Sequence, residues 1–158
     1  MKSPKSKKVK LYPLQAEASI SMVSDTIAHY QASYSNPIAL LSSSKNGLNA
    51  GAAIDFITVS GFSYDEFQKT FNTTVKTIQN YVVQDLKLDA ALSEKLLKSF
   101  SLFSIGIEVF GSSKSFQEWL NTSCYGLGNQ IPFNLMDTVT GIMLIEEELI
   151  RIAHGDLA

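Results

Sequence analysis

Between Ser93 and Gly111 the apolar residues fall at Leu96, Leu97, Phe100, Phe103, Ile107 and Phe110. Steps of one, three and four place them along one side of a long helix, and Gly111 is its stop. Such a helix needs neighbours that cover its apolar side. The rest of the chain offers more helices and almost nothing else. No stretch alternates apolar and polar residues over any length. Thr, Val and Tyr are frequent at 73–83, so a strand there is the competing local reading, although the turn residues on either side favour helix. The expected fold class is all-α.

The other elements follow from caps and stops. Leu14 to about Ala32 carries Ile20, Val23, Ile27 and Tyr30 at helical spacing. Asn36-Pro37 opens a short helix through Leu41, and Lys45-Asn46-Gly47 closes it. Asn49 is the expected cap of the next helix, with Ala53, Ile54, Phe56 and Ile57 inward and Gly61 at its end. Ser63 opens a helix to Phe71, with Asp65 and Glu66 in the turn where the dipole favours acids. Asn72 is the turn, and Thr74 caps a helix with Val75, Ile78 and Val82 on one face.

Composition narrows the function. The 158 residues suffice for one ordinary domain or two small ones sharing a core. Hydrophobic residues make up 45%, enough for that core, and charged ones only 18%. The net charge of −2 gives no global sign of nucleic-acid binding. Lysines crowd positions 2, 5, 7, 8 and 10, whereas the stretch from Phe110 holds six acids against Lys114 and Arg151. Residues 1–13 read as a disordered basic tail, 14–110 as a helical domain and 111–158 as a small C-terminal one. The single Cys124 excludes an internal disulfide and a multi-cysteine zinc site. No apolar run follows the first lysines as in a signal peptide, and none is long enough for a membrane span. A cytoplasmic protein without membrane contact is expected.

Two regions are candidates for function. Ser63–Val83 has the outline of a helix-turn-helix, with Phe67 and Phe71 facing Ile78 and Val82 across the turn. If its second helix reads DNA, Thr74, Lys76, Thr77, Gln79 and Asn80 are the contact residues, since Gln and Asn can pair with adenine. One lysine is little for phosphate neutralisation, so this unit equally reads as a core element with the shape alone. The C-terminal region shows Ser115 and Glu118 as a capping-box match, then Trp119, either core or partner anchor. Gly126-Leu127-Gly128 forms a loop without the ending of a phosphate loop. Pro132 starts a one-turn helix, and Asp137-Thr138 caps a last helix striped by Ile142, Ile145, Leu149 and Ile152. Glu146, Glu147 and Glu148 mark its mostly wet side. Arg151 and His154 lie in its last turn and Gly155 ends it. No acid, base and nucleophile set assembles, so an enzyme is not expected, nor a metal or cofactor.

Phe110-Gly111, Trp119-Leu120, the run YGLGNQIPFNLMDTVTG at 125–141 and RIAHG at 151–155 resemble the toxin-binding domain of Xre/MbcA/ParS-type antitoxins. Upstream, residues 46–56 and 62–78 resemble that family's Xre-like helix-turn-helix domain. The likeness spans roughly residues 37–158. It implies a bacterial type II antitoxin with an Xre-like helix-turn-helix domain and a small helical toxin-binding domain. The implied partner is a RES-domain toxin that consumes NAD, neutralised by occlusion of its active site. A homodimer is also implied, with operator DNA as a further partner through which the operon is autorepressed. Carried over by position, the toxin-facing residues are Trp119, Gly126, Leu127, Gly128, Pro132, Arg151, His154, Gly155 and Ala158. The acidic balance of the segment suits a cleft that holds cations for a diphosphate, with the terminal carboxylate of Ala158 as the sharpest expectation. The chain departs from the family where arginines are common on the recognition helix: Gln79, Asn80 and Tyr81 stand there. The competing readings are a stand-alone Xre-class DNA-binding regulator and a helical adaptor with no toxin.

Overall fold

A computed structural model describes residues 19–155; the lysine-rich start, the segment 14–18 and the end including Ala158 lie outside them. The described residues form eight α-helices and two short 3₁₀ turns, and no named strand occurs among them. The order is α1 (Ile20–Tyr34), α2 (Pro37–Asn46), α3 (Gly51–Ser60), α4 (Tyr64–Phe71), α5 (Val75–Val83), α6 (Ala90–Phe110), α7 (Ser113–Leu120), η1 (Tyr125–Leu127), η2 (Pro132–Leu135) and α8 (Val139–Ala153). The fold is all-α. Residues 73–83, where a strand competed, are helical from Val75.

The long apolar helix of the sequence is the axis of the molecule. α6 packs against α1, α2, α3, α4, α7 and α8. Leu96, Leu97, Phe100, Leu102 and Phe103 are fully buried on it. Around it the phenylalanines meet edge to face, the arrangement their ring quadrupoles favour. Phe56 is the hub, with ring centroids 5.3 Å from those of Phe71, Phe100 and Phe103. Phe62 extends the cluster to Phe133 of η2 at 5.5 Å, and Phe103 extends it to Phe116 of α7 at 4.9 Å. One continuous apolar core therefore runs from Val23 of α1 to Leu149 of α8.

Local signals fix most of the ends. Asn36, Ser63, Thr74 and Thr138 each accept a backbone N–H at a helix start. Ser63 and Glu66 form a reciprocal capping box, with Ser63 N donating to Glu66 Oε2 at 2.8 Å. Asn72 adopts the left-handed conformation between α4 and α5 at φ 53°. Gly111 at φ 87° ends α6, a backbone angle that residues with a Cβ rarely hold.

Several expectations are corrected by tertiary structure. α1 ends at Tyr34, and Ile20 is 82% exposed rather than part of its inner stripe. α2 runs past Leu41 to Asn46, because the serines continue the helix and Ser44 Oγ bonds back to Leu40 O at 2.7 Å. Asn49 does not cap α3 with its side chain; its backbone pairs with Lys87 and Ala50 takes the cap position. α6 starts earlier than Ser93: Asp89 Oδ1 accepts from Leu92 N at 2.7 Å. Ser93 is buried instead, and its hydroxyl accepts from Leu48 N at 3.0 Å. Ser115 and Glu118 form no capping box, since Ser112 caps α7 by accepting from Ser115 N at 3.0 Å. Val82 follows the stripe of Val75 and Ile78 but is 44% exposed, because the last turn of α5 and the residues to Lys87 project beyond the core.

Candidate functional site

The C-terminal region is built from α7, two tight turns and α8, all leaning on α6. The glycine loop is a closed unit. Cys124 N donates to Gln130 O at 2.9 Å, and Cys124 O accepts from Leu127 N and Asn129 N at 3.1 and 2.9 Å. Gly128 sits at φ 68°, the left-handed position that lets the chain turn back after η1. Leu127 points into the core while Tyr125, Gly126 and Gly128 face outward. Pro132 and Phe133 of η2 are buried as well. Leu127 and Pro132 thus hold the loop in place from beneath, and the residues between and beside them form its outer surface.

Glu148 ties the loop to α8. The sequence places it with Glu146 and Glu147 on the wet side of the helix, yet it is only 8% exposed. Its carboxylate accepts from Arg151 Nε at 2.8 Å and also from Arg151 Nη2. Cys124 Sγ donates to Glu148 Oε1 at 3.7 Å. Gly126 lies directly over this carboxylate, so closely that a Cβ there would overlap it. Buried charge is tolerated only when paired and hydrogen-bonded, and Arg151 meets that need. The i, i+3 spacing of Glu148 and Arg151 is the signal in the sequence that identifies the pair.

The expected toxin-facing residues are thus distributed unevenly. Gly126 and Arg151 meet around Glu148, and His154 and Gly155 follow in the exposed end of α8. Trp119 stands apart, half-buried against the end of α6, with its ring 5.4 Å from Phe110 and 6.0 Å from Phe116. Ala158 lies outside the described residues. Sequence reasoning missed Tyr125, Met143, Leu144 and Ile150, which are large, apolar and exposed. On α8 the positions 143, 144, 147, 150, 151 and 154 recur at three and four and share its outer face. That face therefore alternates Met143, Leu144 and Ile150 with Glu147, Arg151 and His154. The missed signal is apolar residues lying off the inner stripe of Ile142, Ile145 and Leu149.

The second candidate region is α4 and α5, joined by the three residues Asn72 to Thr74. Lys76, Thr77 and Asn80 are exposed, while Thr74 and Gln79 are half-buried. Thr74 Oγ1 accepts from Thr77 N at 3.1 Å, and the two hydroxyls lie 2.9 Å apart, so both threonines are partly occupied within the helix start. Lys76 is the only base on α5. Two other lysines connect this region to η2 and α8. Lys69 Nζ donates to Asn134 Oδ1 at 2.8 Å and lies 5.3 Å from the ring centre of Phe133. Lys95 Nζ donates to Thr70 O at 3.2 Å and Asp137 O at 2.6 Å.

Among the described residues no three His, Cys, Asp or Glu side chains converge as metal ligands. No described helix is long and apolar enough to cross a membrane. Residues 106–155, about a third of the chain, match the family model of the antitoxin Xre/MbcA/ParS C-terminal toxin-binding domain. No curated protein matches the chain. The matched segment begins in the last turn of α6 and ends at Gly155, so it takes in α7, both turns and α8.

Proposed function

We propose, from the Xre/MbcA/ParS-type toxin-binding domain at the C-terminal end, that this chain neutralises a RES-domain toxin by occluding its NAD site. The match of residues 106–155 supports the antitoxin role and a toxin as partner. The RES domain, NAD consumption and a cytoplasmic setting come from the resemblance. One observation carries the docking part of the reading: the outer face of α8 combines three exposed apolar side chains with Glu147, beside the exposed Tyr125. Apolar anchors with a charged rim are the usual make-up of a protein interface.

In this reading the chain acts by binding and not by catalysis. The glycine loop and α8 seat the toxin, and the segment from Arg151 to Ala158 reaches its active site. Arg151 is held by Glu148, so the chain enters that segment from a fixed point. Trp119, half-buried against Phe110 and Phe116 and apart from that surface, is a separate candidate anchor in this reading. Deletion of Ile152–Ala158, which keeps the Glu148–Arg151 pair, is expected to abolish neutralisation in cells that co-express the toxin, with helical content nearly unchanged by circular dichroism. Full protection by the truncated chain would rule out terminal occlusion and leave binding alone as the mechanism.

A second reading, a DNA-binding regulator or an autorepressor, draws on the α4–α5 pair and its left-handed Asn72. The surface of α5 gives it little support. Thr74, Lys76, Thr77, Gln79 and Asn80 present one cation, and phosphate contacts supply most non-specific affinity for DNA. A gel shift on the upstream promoter, with and without toxin, tests it. The expected outcome is no shift. A salt-sensitive shift weakened by Lys76→Ala and Gln79→Ala would establish the DNA-binding reading.

A further inference from the structure

We infer that the partner seated on α8 meets Glu147 with a cation, an arginine or lysine side chain framed by apolar surface. The inference rests on the toxin-binding reading and adds the chemistry of the partner's side. An acid followed four positions later by a base is the favoured pair on a helix, so Glu147 and Arg151 form the couple that spacing alone would choose. The structure pairs Arg151 with Glu148 instead. Arg151 Nε donates to Glu148 Oε2 at 2.8 Å, and Nη2 donates to the same oxygen. Glu148 is buried and Glu147 exposed, and a buried charge has the greater need of a partner. Glu147 is left without a counter-charge, since Glu148–Arg151 is the only ion pair among the described residues. In water this costs little, because exposed pairs contribute little.

The cost rises once the face is covered. Turning roughly 100° per residue, α8 sets Glu147 near the middle of its outer face. Met143, Ile150 and His154 lie to one side of it, Leu144 and Arg151 to the other. Met143, Leu144 and Ile150 are each nearly half exposed, so a partner that buries them also strips water from the carboxylate between them. A desolvated carboxylate needs a cation. The chain has none to spare there. Arg151 is the only lysine or arginine on α8, and drawing it away would unpair the buried Glu148. A nucleic acid or a second copy of this face would add negative charge, so the occupant is a different protein. Its docking patch combines apolar surface for Met143, Leu144 and Ile150 with one cation aimed at Glu147. Glu148 acts as a positioning residue: by holding Arg151 it keeps Glu147 open to the partner's charge.

The test is calorimetric titration of the full chain with the purified toxin, with a far-ultraviolet spectrum of each variant to show that it folds. Ile150→Asp checks the seat itself and is expected to weaken binding at least about tenfold. Glu147→Gln, which keeps the shape and removes the charge, is expected to weaken it about tenfold or more. Glu146→Gln makes the same charge change at the side of the face and is expected to stay within about twofold. Glu147→Lys is expected to abolish binding, and reversal of a single arginine or lysine of the toxin to glutamate to restore it. Glu148→Gln frees Arg151 for Glu147, so the loss caused by Glu147→Gln is expected to shrink in that background, a coupling that a merely structural role for Glu148 would not produce. Binding that Ile150→Asp weakens and Glu147→Gln leaves unchanged overturns the inference while the toxin-binding reading stands. Equal losses from Glu146→Gln and Glu147→Gln also overturn it, since the charge would then act at long range. A toxin that does not bind, or that binds Ile150→Asp as tightly as wild type, removes the seat on α8 and the inference with it.

Discussion

Two glycines near the candidate site have different obstacles above them, and the difference fixes what a methyl group would do. A Cβ on Gly141, in the first turn of α8, would overlap the carbonyl oxygen of Leu135. That oxygen belongs to the backbone of η2 and cannot move without moving the turn. A Cβ on Gly126 would overlap the end of the Glu148 side chain, which can rotate away. Alanine gains up to about 1 kcal/mol over glycine inside a helix, but a forced backbone shift costs about 1–3 kcal/mol or more. Gly141→Ala is therefore expected to lower the melting temperature, by up to roughly 8 °C. Gly126→Ala should change it by a few degrees at most while freeing Arg151 from Glu148, which a double-mutant cycle between Gly126→Ala and Arg151→Ala would register as coupling. Tyr30 gives a second prediction at this scale. Its hydroxyl donates to Asp55 Oδ2, and its pKa is raised above the usual tyrosine value by burial first, then by that hydrogen bond and by the Asp55 charge. The unfolded chain then loses this proton at lower pH than the folded one. The contribution is complete below about pH 10 and falls as pH rises above it. Denaturant midpoints measured upward from neutral pH should drop in that range, and Tyr30→Phe should flatten the drop.

At the scale of elements, helix ends separate what the sequence makes legible from what it does not. Ser63, Thr74 and Thr138 are readable as caps because a cap involves only a residue and the turn after it. The same holds for Pro132 as the first residue of η2. The start of α7 is misread because two serines compete, and the spacing to Glu118 favours the wrong one. Ser112→Ala is accordingly expected to cost about 1 kcal/mol, or roughly 2–4 °C, whereas Ser115→Ala should cost a few tenths. Equal losses in the two melts would mean that both hydroxyls share the cap. Other misreadings arise from partners distant in sequence. Ser93 looks like a helix start, but it serves Leu48 across forty-five positions. Ile20 and Val82 fit their stripes, but the helices reach beyond the core there. In the candidate site the loop, its glycines and the last helix are legible as local structure. The burial of Glu148 is not, because it depends on Gly126 being brought over α8 by the closure of the loop at Cys124 and Gln130.

For the molecule as a whole, the question is whether residues 14–110 and 111–158 behave as separate units. α6 belongs to both sides: Phe100 and Phe103 meet Phe56, while Phe103 also meets Phe116 of α7. α8 packs on α6, and Phe133 of η2 packs on Phe62 in the segment between α3 and α4. Lys69 adds a polar link from α4 to η2, and Lys95 one from α6 to the segment between η2 and α8. A segment cut at residue 111 would keep Phe116, Leu120, Ile142, Ile145 and Leu149 but lose the helix that buries them. Chains of about 40–50 residues rarely bury enough apolar surface to fold unaided. The isolated segment 111–158 is thus expected to lack stable helix, and a segment extended back through α6 to Asp89 to regain part of it. The full chain is expected to unfold in one transition, with the calorimetric enthalpy equal to the van't Hoff enthalpy. Two resolved transitions, or a folded 111–158 segment, would mean that the toxin-binding part holds its shape without α6. In that case binding there would have no mechanical link to α5. A single transition carries the opposite consequence: a partner that bound at α8 would stabilise the whole core by mass action, the α4–α5 region included.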